Sequence, residues 1–288
     1  IIGIISSFID DRVQSLRAGR GKIEEENHII FFNFSIQLIP LITELCVAYA
    51  KEKKTFVIVS NEEPLTITDR IHSIIKVPKN ISIVARKGFA WQSKILERIN
   101  LEKAKQIIIL KPDVGENYPT ELDCDVEVGK SFAYLITNKD WQKKSCNIVA
   151  EFHDEVTSNL YLNYCKDIIN EQHDKLGKDW DSPSIISSSN LKNHLLSQCI
   201  NTPDLIEIYD NIFGYEGSET YFVDPNQPRY QELLKKHWGK GLKEINSIFD
   251  NIIVLGFYYY EDKYDHTWNR VFLNTSAGFP FQEGDGLI

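Results

Sequence analysis

The sequence has no Cys-x-x-Cys pair and no cysteine and histidine spacing of the kind that builds a zinc site. Its five cysteines are far apart in the chain: Cys46, Cys124, Cys146, Cys165 and Cys199. This spacing predicts reduced thiols in a cytosolic compartment, acting mainly as small apolar side chains. No apolar run approaches the roughly 20 residues that a membrane-spanning helix needs.

Recognised catalytic signatures are also absent. There is no G-x-S-x-G elbow, no phosphate-binding P-loop and no H-E-x-x-H pair, and the seven histidines suggest no catalytic triad. The sequence therefore predicts that the protein is not an enzyme. Basic residues are in the minority, with 32 Lys and Arg against 41 Asp and Glu and a formal net charge of −9. Broad nucleic-acid affinity depends on neutralising phosphates, so this balance predicts no nucleic-acid partner and favours cations or basic partners.

Glycine is missing where one fold would need it most. The stretch HIIFFNFSIQLIPLITEL, residues 28–45, reads as a buried strand, a turn and an amphipathic helix, which is how the first unit of a Rossmann domain begins. The turn has Asn33, Ser35 and Leu38 in place of the glycines of G-x-G-x-x-G. A dinucleotide-binding Rossmann domain has an acid for the ribose at the end of its second strand. At that position this chain has Asn61, followed by Glu62. A bound dinucleotide is therefore not expected.

Strands and helices alternate over the first two thirds of the chain. This alternation predicts an α/β fold, a Rossmann-like doubly wound parallel sheet, with a helical pair and a small C-terminal α+β domain after it. The predicted strands are 29–32, 55–63, 81–86, 106–110, 146–152 and 184–187, and the predicted helices are 35–51, 91–99, 124–136 and 156–169. After residue 188 we predict two helices separated at 201–203, a strand at 218–224, a helix over 228–247, strands at 251–260 and 270–274, and a final strand segment at 284–288. The predicted divisions are 1–27, 28–189, 190–217 and 218–288.

Several segments together resemble one known family. These are GRGKIEEENHIIFFNFS (19–35), FVIVSNEE (56–63), ISIVARKG (81–88), AKQIIILKPD (104–113), NIVAEFHD (147–154), LLSQCINTPDLIEIYDNIFGYEGSETYFVDP (195–225) and the closing GDGLI. In this order they are similar to the cytosolic part of the Castor and Pollux ion channels, which belong to the proteins with regulator-of-potassium-conductance domains. The similarity is most specific in residues 28–35, 83–113 and 186–225 and weak over 226–283.

The resemblance implies a function and a location. It implies a cytosolic gating domain of a potassium- or cation-conducting channel, on the cytoplasmic face of the membrane, in which ligand binding is coupled to pore opening. The N-terminal helix would continue the pore-lining helix of the same polypeptide, with Phe8, Val13 and Leu16 linking the domain to the gate. The helix pair 190–213 would be the crossover that joins two copies into a dimer, the unit of a gating ring. From the residues alone, a helical hairpin buried within one chain is an equal alternative for this pair.

Ligands of such sheets collect at the carboxyl ends of the strands. The candidate ligand-binding residues there are Asn33, Ser35, Asn61, Glu62, Arg86, Asp113 and Glu151. Oxygen ligands suit calcium, so Asp113, Glu151 and Asp154 are the candidate calcium ligands. Each charged residue has a solvated loop side chain as its alternative, and Arg86 with Glu151 could form an ion pair across neighbouring strand ends.

Two other functions are alternatives to that of a channel gating domain. One is an NAD-binding protein, either an oxidoreductase or a redox-sensing regulator of potassium uptake, which the missing glycines count against. The other is a free-standing adaptor without a pore, which the apolar start IIGIISS counts against.

Overall fold

The computed structural model describes residues 21–138, 146–176, 183–215, 220–224, 227–248, 252–259, 270–273, 280–281, 283 and 285–288. Phe8, Val13 and Leu16, the predicted link to a gate, lie outside these residues. The chain divides into two compact units, Ile1–Ile206 and Glu207–Ile288. This division falls inside a helix, Leu205–Phe213, and the predicted domain bounds stay a prediction.

The first unit is built from alternating strands and helices. The strands are β1 (Ile29–Phe32), β2 (Lys54–Ser60), β3 (Ile81–Lys87), β4 (Gln106–Ile109), β5 (Asn147–Phe152) and β6 (Ser184–Ser187). The helices are α1 (Leu38–Ala48), α2 (Pro64–Ile74), α3 (Ser93–Arg98), α4 (Glu121–Thr137), α5 (Glu155–Leu176) and α6 (Ser188–Asn201), with a 3₁₀ turn at Leu101–Lys103. The sequence-based prediction overlooked α2 and ended α5 too early.

All six strands are parallel and lie in the order β3-β2-β1-β4-β5-β6. This order confirms the predicted Rossmann-like, doubly wound sheet. It also shows that the suggested ion pair between Arg86 and Glu151 is wrong. Arg86 is on β3 and Glu151 is on β5, and three strands lie between them.

The central strands of the sheet are buried on both faces. Strand side chains alternate, so Ile30 and Phe32 of β1 belong to one core cluster while Ile29 and Phe31 belong to the other. Helices α3, α4 and α5 contribute to the first cluster, and α1 and α2 contribute to the second. Burial on both faces explains why β1 and β2 read as continuous apolar runs rather than as alternating patterns.

Cysteine side chains contribute to this core. All five cysteines lie in described ranges and none is part of a disulfide bond there, and Cys124 and Cys165 are buried. Burial raises the pKa of the Cys165 thiol to about 12, so this thiol stays protonated at neutral pH.

Helix α7 (Leu205–Phe213) spans the division between the units. The second unit contains α8 (Pro228–Lys235), α9 (Leu242–Asn246) and an antiparallel sheet in the order β8-β7-β9. The strands are β7 (Gly256–Tyr259), β8 (Arg270–Leu273) and β9 (Gly286–Leu287). The single helix predicted over 228–247 is wrong, because the chain breaks at Gly239, whose φ of +82° suits glycine. In the predicted strand 218–224, the described residues form one bridge, between Val223 and Leu287.

In the part of the chain that the structure describes, no helix combines the length and the apolar character needed to cross a membrane.

Phe132 is expected to be a major source of stability in the first unit, because it is fully buried and its ring meets that of Tyr161 edge-on. Phe132→Ala should lower the free energy of unfolding by about 3–5 kcal/mol, measured by urea denaturation. Leu122→Ala is the control, on the same helix but 63% exposed, and should cost about 0.5 kcal/mol or less. Equal losses in the two variants would contradict the packing described.

Candidate functional site

The crevice of a doubly wound sheet opens where consecutive connections leave on opposite faces. In this sheet the point lies between β1 and β4, since β1 is flanked by β2 on one side and β4 on the other. The turn after β1 and the segment after β4 therefore form its two walls. Asn33, Ser35 and Asp113, all predicted site residues, lie on these walls.

Asn33 takes the backbone conformation that a glycine would otherwise supply. Its φ is +67°, a left-handed conformation that asparagine tolerates better than most residues. Its N–H donates to the carbonyl of Val59 on β2, and its side-chain amide donates to the carbonyl of Leu110 after β4, both at 2.9 Å. The turn thus keeps its shape without glycine and is bonded to both neighbouring strands.

The carboxylate of Asp113 lies at the amino end of α1. One oxygen accepts the hydroxyl of Ser35 at 3.0 Å, and the other accepts the N–H of Ile36 at 2.9 Å. The Ser35 hydroxyl oxygen in turn accepts the N–H of Gln37 at 3.2 Å. In a dinucleotide-binding fold the pyrophosphate lies against the N–H groups of this turn and of the helix start. Here a carboxylate of the chain itself accepts the N–H of Ile36, two residues before α1.

Leu38 also changes this turn. It is fully buried and belongs to the core cluster on the α1 side of the sheet. The third glycine of the dinucleotide motif allows close packing of helix on strand, and here an isobutyl side chain fills that space. The geometry therefore counts against dinucleotide binding at this turn.

Asn61 and Glu62 follow β2, as predicted, but lie apart from the turn's hydrogen-bond network. Asn61 is exposed. The Glu62 N–H donates to the Ser60 hydroxyl, and the Glu62 carboxylate lies 4.0 Å from the Arg70 guanidinium of α2. This is a solvent-exposed ion pair of small energetic weight.

A second group of charges lies at the ends of β4 and β5. The ammonium of Lys111, whose side chain is 11% exposed, donates to the Glu121 carboxylate at 2.7 Å. The Lys111 N–H points to the Glu151 carboxylate at 3.4 Å, and the ring of His153 lies 3.7 Å from Glu121. These contacts connect the two strand ends to the start of α4.

The two glutamates in this group have pKa values shifted in opposite directions. Burial raises the pKa of Glu151, against the smaller lowering effects of Lys111 and Ser188. The hydrogen bond from Lys111 lowers the pKa of Glu121. Burial lowers the pKa of Lys111 itself, but its bond and charge attraction to Glu121 outweigh that effect, and the net shift is upward.

Two aspartates accept hydrogen bonds from backbone N–H groups at the start of α5. Asp125 is buried and accepts the N–H groups of His153 and Asp154, at 2.6 and 2.9 Å. Asp154 accepts the N–H and hydroxyl of Thr157, at 2.8 and 3.0 Å, and these bonds lower its pKa. Asp154 is therefore a helix cap in this structure.

The three predicted calcium ligands do not form one site. Among the described residues, no group of three His, Cys, Asp or Glu side chains is arranged to hold a metal ion. The reason is that Asp113 serves the start of α1, Asp154 serves the start of α5, and Glu151 faces Lys111. Calcium binding in another arrangement stays a prediction.

Arg86 has surroundings different from those predicted. It is 6% exposed, one guanidinium nitrogen donates to the carbonyl of Ala85, and burial lowers its pKa, followed by the charge of Arg98. Glu25, in the segment before β1, acts in the opposite direction. Its charged neighbours therefore lie on α3 and before β1.

Three residues of the charge network were not among the predicted site residues: Lys111, Glu121 and Asp125. Lys111 follows the predicted fourth strand by one residue, so the strand-end rule could have identified it. Asp125 lies near the start of α4, and nothing in the sequence around it indicates that it reaches the turn after β5.

Comparison with known proteins places this arrangement in context. The Pollux ion channel of Lotus japonicus is 22% identical over 293 residues, which cover the whole of this chain and 28% of that protein. The Castor ion channel of the same plant is 22% identical over 291 residues, covering 30% of that protein. The chain is a distant relative of the Castor and Pollux ion channels. It spans less than a third of the length of these channels, and no protein-family model matches it.

Solved structures give the same fold. The human SLO3 gating ring superposes with a TM-score of 0.63 and 16% identity, covering 92% of this chain and 48% of that one. This chain and the gating-ring chain therefore share their fold over nearly all of the shorter chain.

Asp113→Ala should destabilise the first unit by about 1 kcal/mol, the usual cost of removing a carboxylate acceptor at a helix start. Urea denaturation measures this loss. Glu116→Ala is the control, since Glu116 is exposed in the same connection and its removal should leave stability within about 0.5 kcal/mol. An Asp113→Ala variant as stable as the wild type would contradict the role given to this carboxylate.

Glu151→Gln and Glu121→Gln should change the pH dependence of stability in opposite senses. A raised folded-state pKa means that Glu151 contributes stability at acid pH, which is lost as pH rises through that pKa. The stability of Glu151→Gln relative to the wild type should therefore increase as the pH rises from 4 to 8.

The lowered pKa of Glu121 means that its contribution is present at neutral pH and is lost as pH falls through the lowered value. Glu121→Gln should therefore be less stable than the wild type at pH 7 and approach it in acid. Denaturation midpoints measured from pH 4 to pH 8 test both predictions. Changes of the same sign in the two variants would contradict the opposite pKa shifts assigned to Glu151 and Glu121.

Proposed function

We propose that this chain is a gating-ring type of regulatory domain, acting on the cytoplasmic side of a cation channel whose pore belongs to the same polypeptide. The observation that carries the proposal is the match of the whole chain to less than a third of the Castor and Pollux ion channels. A match of this kind is expected for one region of a larger channel. The fold shared with the human SLO3 gating ring supports the same function.

The site geometry supports a conformational function rather than a catalytic one. The switch-point turn, where a dinucleotide would bind, is held by Asp113. The charged groups after β4 and β5 bond to one another and to helix starts. A ligand would then act by favouring one arrangement of the domain over another, and it shifts that equilibrium only by its differential affinity.

Assembly of copies is part of the proposal. None of the residues of α6 or of α7, all of them described, is buried. Yet α6 exposes Leu191, Leu196 and Ile200 at 48%, 51% and 79%, and α7 exposes Phe213 at 63%. Apolar exposure on this scale favours an interface with a second copy over a hairpin buried within one chain.

The test measures potassium flux from vesicles that contain the complete polypeptide, with and without millimolar calcium as the probe ligand. We expect a flux that changes with calcium. The double variant Leu196→Asp and Ile200→Asp should lose the calcium effect and sediment as a smaller particle, because charges would be placed in the interface.

Gln198→Asp is the matched control, since it adds a charge at another exposed position of α6. It should keep both the calcium effect and the assembly. Absence of potassium flux in the complete protein would overturn the channel proposal, and unchanged assembly in the double variant would overturn the helix-pair interface.

A further inference from the structure

Two lysines converge on one tyrosine at the amino edge of the sheet, the edge where its parallel strands begin. Lys54 is the first residue of β2 and Lys105 immediately precedes β4, and these two strands lie on either side of β1. The ammonium nitrogen of Lys54 lies 4.7 Å from the centre of the Tyr49 ring. That of Lys105 lies 5.3 Å from the same centre. We call Lys54, Lys105 and Tyr49 the lysine pair site.

Backbone hydrogen bonds fix the members of the lysine pair site. The N–H of Lys54 donates to the carbonyl of Asn80 at 3.0 Å, and the N–H of Lys105 donates to the carbonyl of His28 at 2.8 Å. The side-chain amide of Asn80 donates to the carbonyl of Tyr49, which follows α1, at 2.9 Å. The approach of the two lysines to one ring is therefore part of how the sheet begins.

The charge of Lys54 is poorly compensated. Only 7% of this residue is exposed, which is rare for a lysine without a partner of opposite charge. None of the ion pairs among the described residues includes Lys54 or Lys105. The ring of Tyr49 attracts a cation, but two ammonium groups beside one ring also repel each other.

These surroundings favour the uncharged amine of Lys54. Burial, followed by the charge of Lys105, lowers the pKa of Lys54, and the charge of Glu52 acts in the opposite direction. An amine that is desolvated and lies next to another cation is the form in which lysine acts as a nucleophile. At a given pH, more of Lys54 is therefore uncharged than of an ordinary surface lysine.

An uncharged lysine amine reacts with carbon dioxide. The nitrogen lone pair attacks the carbon atom and forms a C–N bond, one C=O electron pair moves onto its oxygen, and the nitrogen releases a proton to water. The product is a carbamate, and its single negative charge replaces the positive charge of the ammonium group. The reaction is reversible and involves no oxidation or reduction.

Lys105 provides what a carbamate on Lys54 needs. Lys105 is exposed and Tyr49 is half-buried, so the site borders solvent, and a small uncharged molecule can reach it. Once Lys54 carries a negative charge, the repulsion between the two side chains becomes an attraction between carbamate and ammonium. The second cation thus favours both the reactive amine and the product.

We propose that Lys54 is a site of reversible modification by carbon dioxide, with Lys105 as the counter-ion of the carbamate. The proposal rests on a buried lysine, a second cation at the same ring and the lack of an ion pair for either among the described residues. It is independent of the proposed channel function. It adds a chemical input at the amino edge of the sheet, whereas the candidate functional site lies at the carboxyl edge.

Trapping of the carbamate tests the proposal directly. This chain is equilibrated with isotope-labelled bicarbonate at about pH 8, where a lysine of lowered pKa is partly uncharged, and treated with a trialkyloxonium reagent that esterifies carbamates. Peptide mass spectrometry then locates the label, and assigns separately any label on the amino group of the first residue. We expect label on Lys54 and none at this position in Lys54→Arg, whose guanidinium stays protonated. Absence of label from Lys54 in the wild type would overturn the proposal.

Lys105→Gln tests the counter-ion. Its side chain is exposed, so the variant should fold, and it should carry no more than about half of the wild-type label on Lys54 under the same conditions. Lys53→Gln is the matched control, because it removes an exposed lysine next to Lys54 and should leave that label unchanged. Equal label on Lys54 in the two variants would overturn the role of Lys105. Label on Lys53 equal to that on Lys54 in the wild type would overturn the selectivity of the site.

Discussion

The carboxylate of Asp113 at the amino end of α1 is the contact on which the functional interpretation depends. It accepts the Ser35 hydroxyl and the Ile36 N–H from across the point where the sheet changes direction. A helix start carries partial positive charge and unsatisfied N–H groups, which need an acceptor. A dinucleotide-binding protein supplies a phosphate there, and this chain supplies its own side chain. The Rossmann-like architecture is thus kept, and a carboxylate of the chain itself bonds to the turn where a phosphate would lie.

The sheet of the first unit has the features of a rigid body. Burial of its central strands on both faces makes it stiff, and its strand ends carry a connected set of charges. These properties fit a domain that converts binding into displacement. They agree with the whole-chain similarity to Castor and Pollux channels and with the fold of a gating ring.

Much of the fold could be predicted because the apolar strands of a parallel sheet are visible as runs in the sequence. All six strands of the first unit overlap their predicted positions. Helix α2 was not predicted, because only Ile67 and Ile71 continue its buried stripe after Pro64. Pro64 itself was a usable signal, since proline is favoured at the start of a helix. The helix over 228–247 was drawn too long because Gly239 was not treated as a break. Both signals were present in the sequence.

The site was less predictable, because it depends on contacts between distant positions. The strand-end rule identified Asn33, Ser35 and Asp113, but no pattern shows that Asp113 reaches a turn 78 residues away. The pairing of Arg86 with Glu151 was wrong because it assumed neighbouring strands, and the strand order of the fold separates them.

Thermal unfolding of this chain with and without 1 mM NADH tests most directly whether the turn after β1 binds a dinucleotide. We expect an unchanged melting temperature, because Asp113 bonds to the turn where the phosphates would lie and Leu38 takes the space of the third glycine. A rise of about 5 °C or more, as expected for a ligand at about 100 times its Kd, would contradict it.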